Sequence, residues 1–149
     1  MVRQLFAKYE LDALNAGIAY TLHMGQIDGS DMLTVDTDRI EQVYANLIYN
    51  AIKFSTSGCA IDVRIEIKEE PYELVIRVSD TGVGISEEDL PHIFERFYKA
   101  SKSRSNSGGS GLGLAIAKEI VQYHGGQIWA ESRLGHGCSI SFSLPLHRI

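Results

Sequence analysis

Two glycine-rich turns constrain the fold of this chain more than any other feature. Asp80-Thr81-Gly82-Val83-Gly84-Ile85 follows a segment in which apolar and polar residues alternate, and Gly109-Ser110-Gly111-Leu112-Gly113-Leu114 opens a segment with helical periodicity. The stretch Asn46–Lys53, with two asparagines and a lysine, precedes both turns. Glycines let backbone approach a ligand closely, and amide oxygens suit a divalent cation. The order and spacing of the three segments indicate a nucleotide-binding domain.

The composition fits a globular protein of one domain and excludes some partners. The 149 residues are 44% apolar and 22% charged, which is ordinary for a soluble domain of this length. The net charge of −5 argues against general nucleic-acid binding, which needs clustered lysine and arginine. If a polyanion binds, the positive charge that meets it must be local.

Cysteine use and hydropathy predict a soluble cytosolic domain. Cys59 and Cys138 are the two cysteines and do not form a metal-type pair, so a reducing intracellular compartment is the simplest interpretation. The sequence contains no signal peptide and no apolar run that could span a bilayer. A piece of a membrane protein would have the same features.

Periodicity predicts alternating helices and strands. The expected elements are a helix over 3–15, a strand over 18–24, a helix from the caps at 36–38 to Phe54, strands Ala60–Ile67 and Tyr72–Ser79, a short helix from Ser86, a helix over Leu112–His124, and strands Gln127–Ser132 and Cys138–Leu144. Residues 99–111 are rich in Ser and Gly, which predicts a mobile loop. The pattern favours an α/β two-layer sandwich, with one mixed sheet and helices on one face.

The long helix places Asn46, Asn50 and Lys53 on one face. A carboxamide oxygen is a suitable ligand for Mg²⁺, and the lysine one turn later could meet a phosphate. A solvated polar face accounts for this helix equally well.

Asp80 could read a base edge, because a carboxylate accepts a hydrogen bond from an exocyclic amine such as that of adenine. Guanine presents a carbonyl oxygen at that position, so the same carboxylate would select ATP over GTP. An ordinary turn at a strand end is the alternative, since Asp-Thr-Gly is common in turns.

The second glycine turn could bind an anion at the start of its helix through backbone N–H groups. It lacks the Gly-Lys-Ser/Thr ending of a P-loop, and no strand precedes it as in a Rossmann turn. A flexible loop with helix-start glycines is the alternative.

The residues before that turn suggest a lid over phosphates. Lys99, Lys102 and Arg104 bring three cations to an otherwise acidic chain, although a solvated charge run is the simpler account of Lys102. The aromatic residues of Ile93–Tyr98 are expected to anchor the start of the lid in the core, namely Phe94, Phe97 and Tyr98.

These segments together resemble the conserved boxes of bacterial sensor histidine kinases. The matching segments are Asn46-Leu47-x-x-Asn50-Ala51-x-Lys53-Phe54, Asp80-Thr81-Gly82-x-Gly84-Ile85, Ile93-Phe94-Glu95-Arg96-Phe97-Tyr98, Gly109-Ser110-Gly111-Leu112-Gly113-Leu114 and the closing turn Gly135-His136-Gly137-Cys138-Ser139. The resemblance implies the Bergerat ATP-binding fold, a mixed and mostly antiparallel sheet with helices on one face. It also implies that residues 1–149 form one catalytic and ATP-binding domain with an ATP lid at about 86–110.

The resemblance implies ATP and Mg²⁺ as cofactors and assigns residues to them. Asn50 is the implied metal ligand, Asp80 the adenine reader and Lys53 a phosphate contact. The full implied ATP-binding set is Asn46, Asn50, Lys53, Asp80, Gly82, Gly84, Ile85, Tyr98, Lys99, Arg104, Gly109, Ser110, Gly111, Leu112, Gly113 and Leu114. Three residues depart from the family pattern: Lys99 for a frequent Arg, Ser110 for Thr, and Cys138 for Thr.

Position 46 separates this chain from ATPases that share the fold. DNA gyrase carries a general-base glutamate four residues before the metal-binding Asn, whereas this chain has Asn46, whose amide cannot accept a proton at neutral pH. The resemblance therefore implies poor hydrolysis and transfer of the γ-phosphoryl group to another nucleophile.

None of the five histidines lies in the acceptor motif of the family, His-acid-x-x-Thr-Pro. The implied acceptor is a histidine on dimerisation helices absent from this chain, so the fragment alone is not expected to phosphorylate itself. The implied function is autophosphorylation in two-component signalling, with a response regulator as the next partner. The expected form is a monomeric domain on the cytoplasmic side of a membrane-anchored kinase. Alternatives are a serine/threonine kinase of the anti-sigma-factor type, a non-catalytic nucleotide-binding module and an ATPase of the same fold.

Overall fold

A five-stranded mixed sheet is the centre of the protein in a computed structural model that describes residues 2–27, 31–98 and 112–148. The strands of the described residues are β1 (Ala19–Met24), β2 (Asp31–Met32), β3 (Ala60–Glu69), β4 (Tyr72–Asp80), β5 (Ile128–Ser132), β6 (Cys138–Pro145) and β7 (His147–Arg148). The five-stranded sheet has the order β1-β3-β4-β6-β5, with β1 parallel to β3 and the other pairs antiparallel. Strands β2 and β7 form a separate antiparallel pair. The expected fold class is confirmed.

The helices of the described ranges are α1 (Val2–Lys8), α2 (Glu10–Asn15), α3 (Thr37–Lys53) and α4 (Gly113–Tyr123), with a 3-10 turn at Leu90–His92. The core lies between α3, α4 and the face of the sheet that carries Ile61, Val63 and Ile65. None of these helices has the length and apolarity that a membrane span needs.

Two predicted helices are wrong in extent. The helix expected over 3–15 is interrupted at Tyr9, whose half-buried ring packs 5.8 Å from that of Tyr44, so tertiary packing overrides the local periodicity. The helix expected from Ser86 is only a 3-10 turn of three residues, because Pro91 has no N–H for a longer ladder. The pairing of β2 with β7 had no counterpart in the prediction.

The long helix α3 begins and packs as its sequence predicts. Asp36 is the N-cap, and its side chain accepts the N–H groups of Asp38 and Arg39 at 3.1 and 3.4 Å. The apolar spacing predicts a stripe of Ile40, Val43, Leu47, Ala51 and Phe54, of which the first four are buried and Phe54 is half-buried. The buried stripe also contains Tyr44, whose hydroxyl lies 2.6 Å from that of Tyr20 on β1. Burial raises the pKa of Tyr44 to about 12, so this phenol stays neutral and hydrogen-bonded.

A histidine ties the end of α4 to the start of α3. The Nδ1–H of His124 donates to the carbonyl of Ile120 at 2.8 Å, and its Nε2 accepts the N–H of Asp36 at 3.1 Å. Since Asn46 in the middle of α3 contacts Gly113 at the other end of α4, the two helices run antiparallel. The polar contacts fix the register of these helices.

We expect His124→Ala to lower the free energy of unfolding by about 1–3 kcal/mol, because it removes two hydrogen bonds of roughly 0.5–1.5 kcal/mol each. Urea unfolding measures the loss. The matched control is His136→Ala in the exposed turn before β6, with an expected change within about 0.5 kcal/mol. Equal losses in the two variants would contradict the role given to His124.

Candidate nucleotide-binding site

Asp80, the last residue of β4, is a buried acid at the end of the sheet. Its side chain is 7% exposed, and its Oδ1 accepts the backbone N–H of Gly82 at 2.9 Å. Cys138, the first residue of β6, lies directly opposite in the antiparallel register and is also buried. The strand end and the turn therefore hold the carboxylate in one position.

Three glycines let backbone segments cross beside Asp80. A Cβ on Gly82 would lie 2.3 Å from the carbonyl oxygen of Phe54, and one on Gly84 would lie 2.3 Å from that of Arg133. A Cβ on Gly137 would lie 2.0 Å from the carbonyl oxygen of Asp80. Gly84 and Gly137 also have φ of 75° and 86°, which favours glycine. Neighbouring backbone fills the space beside these three glycines.

Ser132, which the sequence motifs did not indicate, joins the Asp80 turn to the glycine turn before β6. The Oγ of Ser132 accepts the N–H of the buried Ile85 at 2.7 Å and donates to the carbonyl of Gly137 at 2.7 Å. The N–H of Gly135 donates to the carbonyl of Val83 at 2.8 Å. The sequence carries no signal for Ser132, because its partners are distant along the chain.

Thr81 is fixed from the other side by the loop after α3. Its Oγ1 accepts the N–H of Ala60 at 2.9 Å, and its carbonyl accepts the thiol of Cys59 at 3.7 Å. Hydrogen bonds from the Thr56 hydroxyl and N–H lower the pKa of the Cys59 thiol. Sequence reasoning also missed these contacts, which set the position of the Asp80 turn relative to α3.

Asn46 connects α3 directly with the second glycine turn. Its Nδ2 donates to the carbonyl of Gly113 at 2.9 Å, and a Cβ on Gly113 would come no closer than 3.8 Å to the Asn46 side chain. Asn50 is half-buried one helical turn later. Leu112 and Leu114 are also half-buried, and Leu114 packs against the core. The structure thus brings the first asparagine and the end of the glycine turn together.

Lys53 lies at the end of α3 beside two rings. Its Nζ is 5.8 Å from the ring centre of Tyr49 and 5.3 Å from that of Phe54. Both distances are within the range of a cation–π contact. Because the carbonyl of Phe54 lies beside Gly82, the end of α3 is next to the Asp80 turn.

The aromatic residues before residue 99 differ in their environments. Phe94 packs against the core, as expected. Tyr98, also expected to anchor this segment in the core, is half-buried, and its hydroxyl donates to the buried Asp89 at 2.5 Å. The expectation that Phe97 anchors this segment is wrong, because its side chain is 69% exposed and its φ is 63°. The backbone conformation at Phe97 directs its side chain away from the core.

Part of the expected site lies outside the described residues, namely Lys99, Lys102, Arg104, Gly109, Ser110 and Gly111. The predicted mobile loop over 99–111 and most of the expected cationic lid also lie there. Within 2–27, 31–98 and 112–148, no three His, Cys, Asp or Glu side chains form a metal-binding group.

Comparison with known proteins identifies close relatives of this arrangement. Residues 35–148 match the family described as "Histidine kinase-, DNA gyrase B-, and HSP90-like ATPase". The chain is 49% identical over 112 residues to the sensor histidine kinase WalK of Bacillus subtilis, covering 74% of this chain and 18% of that protein. The chain therefore spans less than a fifth of the length of this relative.

Solved structures show the same fold. The catalytic domain of the histidine kinase ThkA has a TM-score of 0.80 at 28% identity, covering 97% of this chain and 90% of that one. The mycobacterial sensor histidine kinase MprB has a TM-score of 0.83 at 24% identity, covering 99% of this chain and 97% of that one, a likeness that concerns the fold alone.

We expect Gly82→Ala to lower the free energy of unfolding by about 1–3 kcal/mol, because its Cβ would collide with the Phe54 carbonyl. Gly113→Ala is the matched control. Its Cβ meets only ordinary contacts, and alanine favours a helix, so its stability should equal or exceed that of the wild type. Thermal unfolding distinguishes them, and an unchanged Gly82→Ala variant would contradict the close approach.

Proposed function

Because the chain belongs to the histidine kinase-, DNA gyrase B- and HSP90-like ATPase family, we propose that it is the ATP-binding catalytic domain of a sensor histidine kinase. The observation that carries the proposal is the buried Asp80 carboxylate at the end of β4, which accepts the N–H of Gly82 and lies between closely packed glycine turns. The link from Asn46 to Gly113 supports a phosphate site on the same side of the sheet as α3 and α4.

Asp80 is proposed to select adenine. Its carboxylate accepts a hydrogen bond from the exocyclic amine, and a charged acceptor makes a stronger bond than a neutral one. The buried position and the bond from Gly82 reduce the freedom of the carboxylate to turn toward another donor. Gly82, Gly84 and Ile85 are proposed to shape the base pocket.

Asn50 is proposed as the protein ligand of Mg²⁺. A half-buried carboxamide oxygen fits this ion, which usually takes few protein ligands and keeps phosphates and waters. When bound, Mg²⁺ would neutralise charge on the phosphates. Asn46 holds the first turn of α4 in place. The other proposed ATP contacts are Lys53, Tyr98, Lys99, Arg104, Gly109, Ser110, Gly111, Leu112, Gly113 and Leu114.

The chain contributes positioning and charge neutralisation, the main terms in phosphoryl transfer. Asn46 has no basic carboxylate to activate water, so we expect slow hydrolysis. The γ-phosphoryl group is proposed to pass to a histidine on separate dimerisation helices and then to a response regulator. We further propose that the isolated domain is monomeric. In the full-length protein, the domain is proposed to lie on the cytoplasmic side of a membrane-anchored kinase.

We expect calorimetry with Mg²⁺ to show ATP binding at least roughly tenfold tighter than GTP binding, and Asp80→Asn to lose roughly tenfold or more in ATP affinity, as the loss of a charged hydrogen bond predicts. Asp62→Asn, on a half-buried acid of β3, is the matched control and should bind as the wild type does. Equal affinity for both purines would contradict the role of Asp80.

We expect the 149-residue chain to transfer no label from γ-labelled ATP to itself but to label a separately supplied histidine-bearing helical hairpin of a sensor kinase. Asn50→Ala should abolish this transfer, because it removes the proposed metal ligand. Label on the isolated chain, or on a serine-bearing anti-anti-sigma protein instead of the hairpin, would contradict the proposal.

A further inference from the structure

Asp89 is a buried acid with no role in the site described above. Its side chain is 6% exposed, and a buried carboxylate is costly unless it is hydrogen-bonded. Its Oδ2 accepts the hydroxyl of Ser86 at 2.9 Å, and its Oδ1 accepts the hydroxyl of Tyr98 at 2.5 Å. The two donors come from opposite ends of the segment 86–98, so one side chain closes this segment into a loop.

Further contacts hold Tyr98 against the same loop. Its ring stacks on His92 with centres 5.2 Å apart, and the N–H of His92 donates to the carbonyl of Asp89 at 2.9 Å. The hydrogen bond that the Tyr98 hydroxyl donates to Asp89 is the main cause that raises the pKa of Tyr98 to about 12. Arg96 pairs with Glu119 on α4 and so fixes the segment to the helix that begins at Gly113.

We propose that Asp89 is a positioning residue that orients Tyr98 for nucleotide binding without touching the nucleotide itself. The inference rests on the proposed function, in which Tyr98 contacts ATP, and it places this contact at the phosphates. Phe97 contributes no anchor to the core, so the position of Tyr98 depends on its hydroxyl contact with Asp89 and on its stacking with His92. Loss of this contact should weaken the binding of phosphates but not that of the base.

The test measures the affinities of the 149-residue chain for ATP with Mg²⁺ and, by competition, for adenosine. Asp89→Ala should lower the affinity for ATP roughly tenfold, the equivalent of one charged hydrogen bond. It should change the affinity for adenosine by less than about twofold. Asp89→Asn keeps an acceptor for Tyr98 and should recover most of the ATP affinity. Glu88→Gln, an exposed acid one residue earlier, is the matched control and should bind as the wild type does.

Tyr98→Phe keeps the proposal testable if Asp89→Ala fails to fold, because it removes only the hydroxyl. It should lower the affinity for ATP roughly three- to tenfold. The double variant, Asp89→Ala with Tyr98→Phe, should bind ATP no worse than the poorer single variant, since the two changes remove the same contact. Unchanged ATP affinity in Tyr98→Phe, additive losses, or equal losses for ATP and adenosine would overturn the inference. A wild type that binds no ATP would overturn the proposed function and this inference with it.

Discussion

The site depends on one constraint, the close approach of glycine backbone to neighbouring backbone segments at the end of β4. At Gly82, Gly84 and Gly137 a side chain would occupy the position of a carbonyl oxygen from another segment. Interiors are too closely packed to absorb such an overlap without a backbone shift. The Asp80 turn is therefore held by the loop after α3, by the end of β5 and by the start of β6. A buried carboxylate that cannot move is a selective acceptor, which is what recognition of one purine requires.

The second constraint is the register of α3 against α4. The buried stripe of α3 packs in the core, and Asn46, one helical turn before Asn50, contacts the start of α4. Asn46 on α3 contacts Gly113 at the start of α4, and His124 at the end of α4 contacts Asp36 at the start of α3, so the antiparallel pair has little freedom to slide. The proposed metal and phosphate groups thus share a rigid support with the Asp80 turn. That support is what positioning a phosphoryl group demands.

The elements that could be predicted are those specified by local sequence. Asp36 and the apolar stripe of α3 located that helix, and the alternation of apolar with polar residues located β3 and, less regularly, β4. Two of the errors arise where distant packing decides. Tyr9 breaks a periodic segment because its ring meets Tyr44, and the β2–β7 pair joins residues 31–32 with residues 147–148. The third has a local cause, because Pro91 prevents the helix expected from Ser86.

In the candidate site, too, local sequence predicts some features and distant packing decides the others. Motif spacing identified Asp80 and the glycines, but it did not indicate that neighbouring backbone lies against Gly82 and Gly84. Ser132 could not be predicted either, because its hydroxyl acts between turns that are far apart in sequence.

The most direct test of nucleotide binding beside Asp80 is a titration of the isotope-labelled chain with Mg·ATP, in which NMR records the chemical shifts of the backbone amides. We expect the largest shifts at Gly82, Ile85 and Gly137. Unmoved amides there, with the largest shifts along β1, would contradict binding beside Asp80.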